Sequence, residues 1–266
     1  MKRNLLLVIA LFVATTMSAQ FYAGLGLGYG MGASKRVNGT KTDGTVQTNI
    51  YGSYGQGFNT TLKLGFMFND NMGLELGVSY LFGAEQTKGE AENYLKTAKS
   101  NGLRLMPQLV YRLDNGFYGR FGVIIPVMGK TVITEKNDKL QVAPGVFMTM
   151  ENEMETHGTF SIGFAGAIGY NFALNDNMNL FGEIEYIGLS IKSGSAEYTK
   201  YEVGGKDQLP NIDTGKKEFT FLDEVDNSSD NTFSNPKWDK DQATVMLKQK
   251  APFSSFGLNI GITMAF

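Results

Sequence analysis

The chain has 266 residues, 33 of them glycine and none cysteine, with 24 basic residues against 26 acidic ones. The missing cysteine excludes a disulfide framework, thiol chemistry and a lipid-modified cysteine anchor. The near balance of charge leaves no basic field for nucleic acid. Glycine is well above its usual ~7%, yet with only 6 prolines the chain is no low-complexity polymer.

In chain order, Lys2 and Arg3 precede the apolar run Leu5–Val13 and the small residues that end at Ala19. This pattern reads as a signal peptide over residues 1–19, because the apolar run is far shorter than the ~20 residues a membrane helix needs. Eight segments of period-two alternation follow, over 21–33, 60–68, 72–82, 103–113, 117–127, 159–172, 178–190 and 255–266. Such alternation predicts strands with one apolar face. Leu25, Leu27, Tyr29 and Met31 form that face in the first segment, and Leu258, Ile260, Ile262, Met264 and Phe266 form it in the last. The seventh becomes ambiguous after Tyr186, where Ile187, Leu189 and Ile191 fall on the other face; a β-bulge would account for this.

Short connections (Asn69-Asp70-Asn71, Asp114-Asn115-Gly116 and Leu174–Asn177) alternate with long ones at about 34–59, 83–102, 128–158 and 191–254. That asymmetry predicts an up-and-down meander with both chain ends on the short-turn side. Alternation alone does not separate a soluble barrel from a membrane one, but the second face does. It carries thirteen glycines (Gly24, Gly26, Gly28, Gly30, Gly32, Gly65, Gly73, Gly77, Gly122, Gly163, Gly169, Gly257 and Gly261) and only seven charges. Glycine weakens a solvated strand, whereas a narrow barrel needs small residues opposite large ones. Aromatic residues also gather near the strand ends, as interfacial girdles would require. The expected fold is therefore all-β: an eight-stranded, antiparallel, up-and-down transmembrane barrel over 20–266.

The last segment, Phe256-Gly-Leu-Asn-Ile-Gly-Ile-Thr-Met-Ala-Phe266, together with the signal peptide and Asn/Asp turns, resembles the small outer-membrane β-barrel family of the OmpA/OmpX type. The resemblance implies a Gram-negative outer membrane, with membrane lipid and lipopolysaccharide as neighbours. It also implies that Ile262, Met264 and Phe266 are read by the barrel-assembly machinery. No peptidoglycan-binding domain is expected after Phe266.

The seven inward charges are Lys63, Glu75, Arg104, Arg112, Arg120, Glu183 and Glu185. Isolated charges there would be costly, so an ion-pair network is expected. It would lie against a glycine wall of Gly24, Gly26, Gly28, Gly30, Gly32, Gly257 and Gly261 and close the lumen. The competing reading is a groove or narrow pore along that wall. His157, the single histidine, falls at the outer rim beside Glu153 and Glu155, where a solvated rim histidine is the plain reading and a rim enzyme the sharper one. Asp223, Glu224, Asp226, Asp230, Asp239 and Asp241 match no EF-hand spacing, so calcium binding competes with ordinary loop chemistry. No catalytic residue, metal or cofactor is assigned.

Function is expected in the long loops. Phe147, Met148, Met150 and Met154 would form an apolar patch on a hairpin extending above the membrane. Glu218–Val225 and Thr244–Lys248 would form short strands in the last loop, with Trp238 packed into a cap. The leading expectation is a non-enzymatic structural or surface-interaction protein that meets an extracellular ligand or protein through its loops. The alternative is a narrow channel or carrier for small or hydrophobic solutes, and the third is a rim enzyme using His157.

Overall fold

Seventeen strands make up nearly all the regular structure in the computed structural model, which describes residues 20–266. The signal peptide expected over 1–19 lies outside those residues. The strands are β1 (Gln20–Gly32), β2 (Val37–Asp43), β3 (Val46–Tyr51), β4 (Gly57–Met67), β5 (Met72–Gly83) and β6 (Gln86–Ala91). They continue with β7 (Tyr94–Arg112), β8 (Phe117–Ala143), β9 (Val146–Gly158), β10 (Gly163–Ala173), β11 (Met178–Gly188) and β12 (Ser190–Val203). The last loop adds β13 (Lys206–Asp207), a short helix (Thr214–Lys217), β14 (Glu218–Leu222), β15 (Thr244–Leu247) and β16 (Lys250–Pro252) before β17 (Ser255–Ala265).

Eight strands close a ring of antiparallel neighbours: β1, β4, β5, β7, β8, β10, β11 and β17, with β17 returning to β1. Closure pairs these eight strands edge to edge around the ring, which is what allows a sheet to sit in lipid. Register keeps like with like. Leu25 stands opposite Leu62 on one side and Ile262 on the other, all exposed outward, while its neighbour Gly24 lies between Lys63 and Thr263 on the inside.

Aromatic side chains make two outer rings. Phe21, Phe66 and Phe68 form a chain near the short-turn end, with Phe117, Tyr170 and Phe172 beside the next turn. Phe58, Tyr80 and Phe82, then Phe121, Phe164 and Tyr186, mark the long-loop end. Phe21 and Tyr29 lie eight residues apart on one face of β1, which is about 20 Å of height at the tilt of a small barrel. The short turns are held by asparagine. Asn69 Oδ1 accepts from the backbone N–H of Asn71 and Met72, and Asn175 Oδ1 accepts from those of Asn177 and Met178.

Beyond the outer ring the sheet continues as hairpins. β8 and β9 turn at Pro144-Gly145, where Gly145 has φ 74°, the positive value that the third residue of a type II turn requires. β9 then pairs with β12, β12 with β14, and β14 runs parallel to β15. The expected strand segments of the last loop are therefore present.

Two expectations are corrected. The sixth barrel strand begins at Gly163, not 159, because Thr159–Ile162 leave the ladder. Ser161 Oγ donates to the Thr159 carbonyl and accepts from the Lys192 N–H, a local side-chain alternative to strand pairing. The seventh strand has no bulge at Tyr186: its register with β10 and β17 is continuous through Ile187. Ile187 and Leu189 point inward, into an apolar layer with Met106, Ile124 and Ala165.

Candidate functional site

Parity along the strands brings the inward charges to the middle of the barrel. Glu183 on β11 is the hub. It accepts from Lys63 Nζ at 3.0 Å, Tyr118 Oη at 2.7 Å, Arg120 Nε at 3.1 Å and Asn259 Nδ2 at 3.0 Å. Arg120 also pairs with Glu185 at 2.6 Å, approaches Glu75 at 3.6 Å and donates to Gln108. Tyr22 Oη donates to the far oxygen of Glu75 at 2.8 Å, and Lys63 Nζ stands 3.8 Å over the Phe181 ring. All these charged side chains are buried. Such burial is tolerable only when each charge meets an opposite one and its remaining hydrogen-bonding sites are filled. The space beneath the network is about 10 Å³, room for at most one water. The lumen is thus filled across its middle.

Five of the seven expected network residues meet here: Lys63, Glu75, Arg120, Glu183 and Glu185. Arg112 and Arg104 do not, because each lies too far along its strand. Arg112, near the short turns, stacks on Tyr22 with its guanidinium carbon 4.2 Å from the ring centre. Arg104, nearer the loops, donates to Ser79 Oγ at 3.1 Å and has no carboxylate within ion-pair distance among the described residues. The uncharged members Tyr22, Gln108, Tyr118, Phe181 and Asn259 were missed by sequence reasoning that followed only charge and glycine. Their shared parity with Gly24, Arg104, Arg120, Glu183 and Gly257 on the same strands was the available signal.

The glycine wall makes room for neutral side chains rather than for the charges themselves. A methyl on Gly26 would stand 3.1 Å from the Phe181 ring, and one on Gly28 would collide with Asn259. On Gly24 it would meet Thr263, and on Gly261 it would meet the Leu25 carbonyl and Phe181. Gly30 and Gly257 adjoin Ser255 and the Tyr29 backbone at the level of the outer ring. Gly32 is exposed beside Ser53, above the network, and does not belong to the wall. Phe181 and Asn259 occupy the small-residue side and in turn hold Lys63 and Glu183.

Above the apolar layer lies a cavity of about 1100 Å³. Arg104 and Leu81 line it from the barrel, Tyr54 and Lys88 from the first two loops, and Phe221 and Phe253 from the last. Burial pushes the Tyr54 phenol up to about 12, and burial, aided by Lys96, holds Lys88 below the ordinary lysine range.

The cavity also reaches the barrel wall. β8 pairs with β10 up to Ile124↔Gly163 and resumes, with β9, at Thr131↔Thr156. The register on either side of the gap is identical, so the ladder is parted and not slipped. Six residues on each side, 125–130 and 157–162, face each other without pairing. Pro126, next to a register shift against β7, brings no N–H to the ladder. Apolar side chains of the lips turn outward: Val127, Met128, Phe160 and Ile162 are all exposed, Phe160 at 77%, while Lys130 and His157 stand at the loop-side end.

The other sequence candidates stand apart from the plug. His157 lines the cavity edge with its Nε2 4.0 Å from Glu155. Asp223 is held by Lys192 and Lys248, and Asp226 accepts from Ser228. Among the described residues no three His, Asp or Glu side chains converge as metal ligands. Phe147 and Met148 are exposed at the β8–β9 hairpin, whereas Met154 turns to the cavity. Trp238 Nε1 donates to Thr244 Oγ1 at 2.9 Å and packs against Phe233 and Gly215. Ile262, Met264 and Phe266 face outward, and the Phe266 N–H donates to the Phe21 carbonyl.

The outer membrane protein OprG from Pseudomonas aeruginosa aligns over 94% of this chain and 96% of its own, at 16% identity and TM-score 0.44. Ail, the attachment invasion locus protein of Yersinia pestis, aligns over 93% and 97% at 11% identity and TM-score 0.34. CarO2 of Acinetobacter baumannii aligns over 93% and 99% at 10% identity and TM-score 0.37. No curated protein matches the sequence. Residues 5–209 match the outer membrane protein β-barrel domain, so the chain belongs to that family of bacterial outer-membrane barrels.

Proposed function

We propose that this barrel is a carrier for small apolar molecules, taken up in the outer vestibule and exchanged with the bilayer through the parted wall between β8 and β10. One observation carries the reading: the 1100 Å³ cavity stands on a filled barrel and ends at a wall whose hydrogen-bond ladder is open. A ligand in that cavity has no straight path through the charged network. Sideways, it meets lips whose outward side chains are Val127, Met128, Phe160 and Ile162, with Lys130 and His157 at their loop-side end. Cavities of this kind, mostly apolar with a few polar groups, suit small ligands.

On this reading the protein is non-enzymatic: it takes up and releases its ligand unchanged. Lipid and lipopolysaccharide surround the outward face, and the outward Ile262, Met264 and Phe266 present the terminal signature to the assembly machinery. The exposed Phe147 and Met148 favour a second reading, a loop contact with an extracellular partner.

The test is uptake of the apolar dye N-phenylnaphthylamine by Gram-negative cells expressing the chain. Uptake faster than in cells with empty vector is expected, and it is lost in the lip variant Met128→Asp/Phe160→Asp at equal folded amounts. Uptake no faster than with vector, or unaffected by the charged lips, would overturn the carrier reading.

A further inference from the structure

The charges around the vestibule are of one sign. Arg36, Lys88, Arg104, Lys130, Lys192 and Lys250 line it, and no aspartate or glutamate does, although the whole chain carries slightly more acid than base. Two of these cations are neutralised from outside the lining, Lys130 by Glu155 and Lys192 by Asp223. Among the described residues Arg36, Lys88, Arg104 and Lys250 have no such partner.

Arg104 is the most informative of them. It is 5% exposed, its one side-chain hydrogen bond goes to neutral Ser79, and its Nε has no partner. The nearby carboxylate Glu185 is already committed to Arg120. A guanidinium buried this way is costly unless an anion meets it, and the cavity is where an anion can arrive. Lys88 stands 5.6 Å from the Tyr54 ring centre on the same cavity, also without a carboxylate. Leu189, Ile191 and Phe253 line the same cavity, a surface for hydrocarbon.

From this one-signed lining we infer that the vestibule's ligand is an amphipathic anion. Its acidic head is held by Arg104 with Lys88, and its apolar tail lies along the inner apolar layer toward the parted wall. The inference rests on the vestibule being a ligand site, as proposed above, and specifies what that site selects.

The experiment is calorimetric titration of the refolded chain in phosphatidylcholine nanodiscs, with empty discs subtracted. Three probes share one tail: octanoate, 1-octanol and octylammonium. Octanoate is expected to bind at least tenfold more tightly than octanol, and octylammonium more weakly than either. Arg104→Gln lowers octanoate affinity about tenfold and Lys88→Gln about threefold, both leaving octanol within twofold. Heat-modifiable electrophoretic mobility reports folding. If Arg104→Gln does not fold, Lys88→Gln, which lies outside the barrel, and the comparison of probes still decide. Octanol binding as tightly as octanoate would overturn the anion while leaving the vestibule in place. Absence of binding by all three would overturn both.

Discussion

Glu183 shows how much of the molecule hangs on single side chains. Its carboxylate receives hydrogen bonds from four residues on three strands (Lys63, Tyr118, Arg120 and Asn259), so it ties β4, β8 and β17 to β11 through the barrel centre. Glu183→Gln keeps the shape but leaves the buried Lys63 with no carboxylate within ion-pair distance. Breaking a buried pair from one side costs about 3–5 kcal/mol. The folded form should therefore lose its heat-resistant electrophoretic mobility at a distinctly lower temperature, and an unchanged transition would refute the hub. Glycine positions divide in the same physical way. A methyl on Gly261 meets the Leu25 carbonyl and the Phe181 ring, whereas one on outward Gly182 meets nothing within 4 Å. Gly261→Ala should cost about 1–3 kcal/mol as overpacking. Gly182→Ala should be neutral or stabilise by up to about 1 kcal/mol through the unfolded chain. Urea unfolding in lipid vesicles compares the two.

At the scale of elements, the parted wall is the feature that a uniform barrel would lack. Amides bonded across a ladder exchange slowly, while those in an opening exchange with small local free energies. Hydrogen exchange in nanodiscs should therefore find Phe160–Ile162 fast beside a protected Gly163–Ala173, and slow exchange through 160–162 would mean a sealed wall. This opening also marks where legibility in the sequence ends. The eight barrel strands were readable because lipid enforces one apolar face, so Leu25 through Met31 and Ile260 through Phe266 announce their register. The rule failed where apolar residues face inward. Ile187 and Leu189 break the polar-in pattern and mimic a bulge, although they form the layer beneath the vestibule. The plug was half legible: charge marked Lys63, Glu75, Arg120, Glu183 and Glu185, but the height along tilted strands that separates Arg104 and Arg112 from them depends on barrel stagger. The vestibule was not legible at all, since Tyr54, Lys88, Phe221 and Phe253 come from three loops whose meeting depends on the finished fold.

For the molecule as a whole, the carrier reading proposed above makes the plug and the opening together set which solutes cross and by what route. An eight-stranded barrel has an interior that side chains can fill, and here Arg120, Glu183, Phe181, Tyr22 and Tyr118 do so at mid-height. Ions would have to break a buried network in which Arg120 and Lys63 are paired with carboxylates. On the carrier reading apolar solutes leave the vestibule sideways, between Val127, Met128, Phe160 and Ile162, without breaking the plug. The two transport measurements should thus dissociate. In planar bilayers the purified chain should show no steady large single-channel conductance, while cells expressing it take up N-phenylnaphthylamine faster than controls. The double substitution Met128→Asp/Phe160→Asp should abolish the dye uptake and leave the ion barrier intact, because it alters the lips and not the plug. Glu183→Gln should do the reverse, admitting intermittent ion currents while the lips still pass dye. Steady conductance by the unaltered chain would place the route down the barrel axis, and loss of dye uptake in Glu183→Gln at normal folded levels would make the plug part of the solute path.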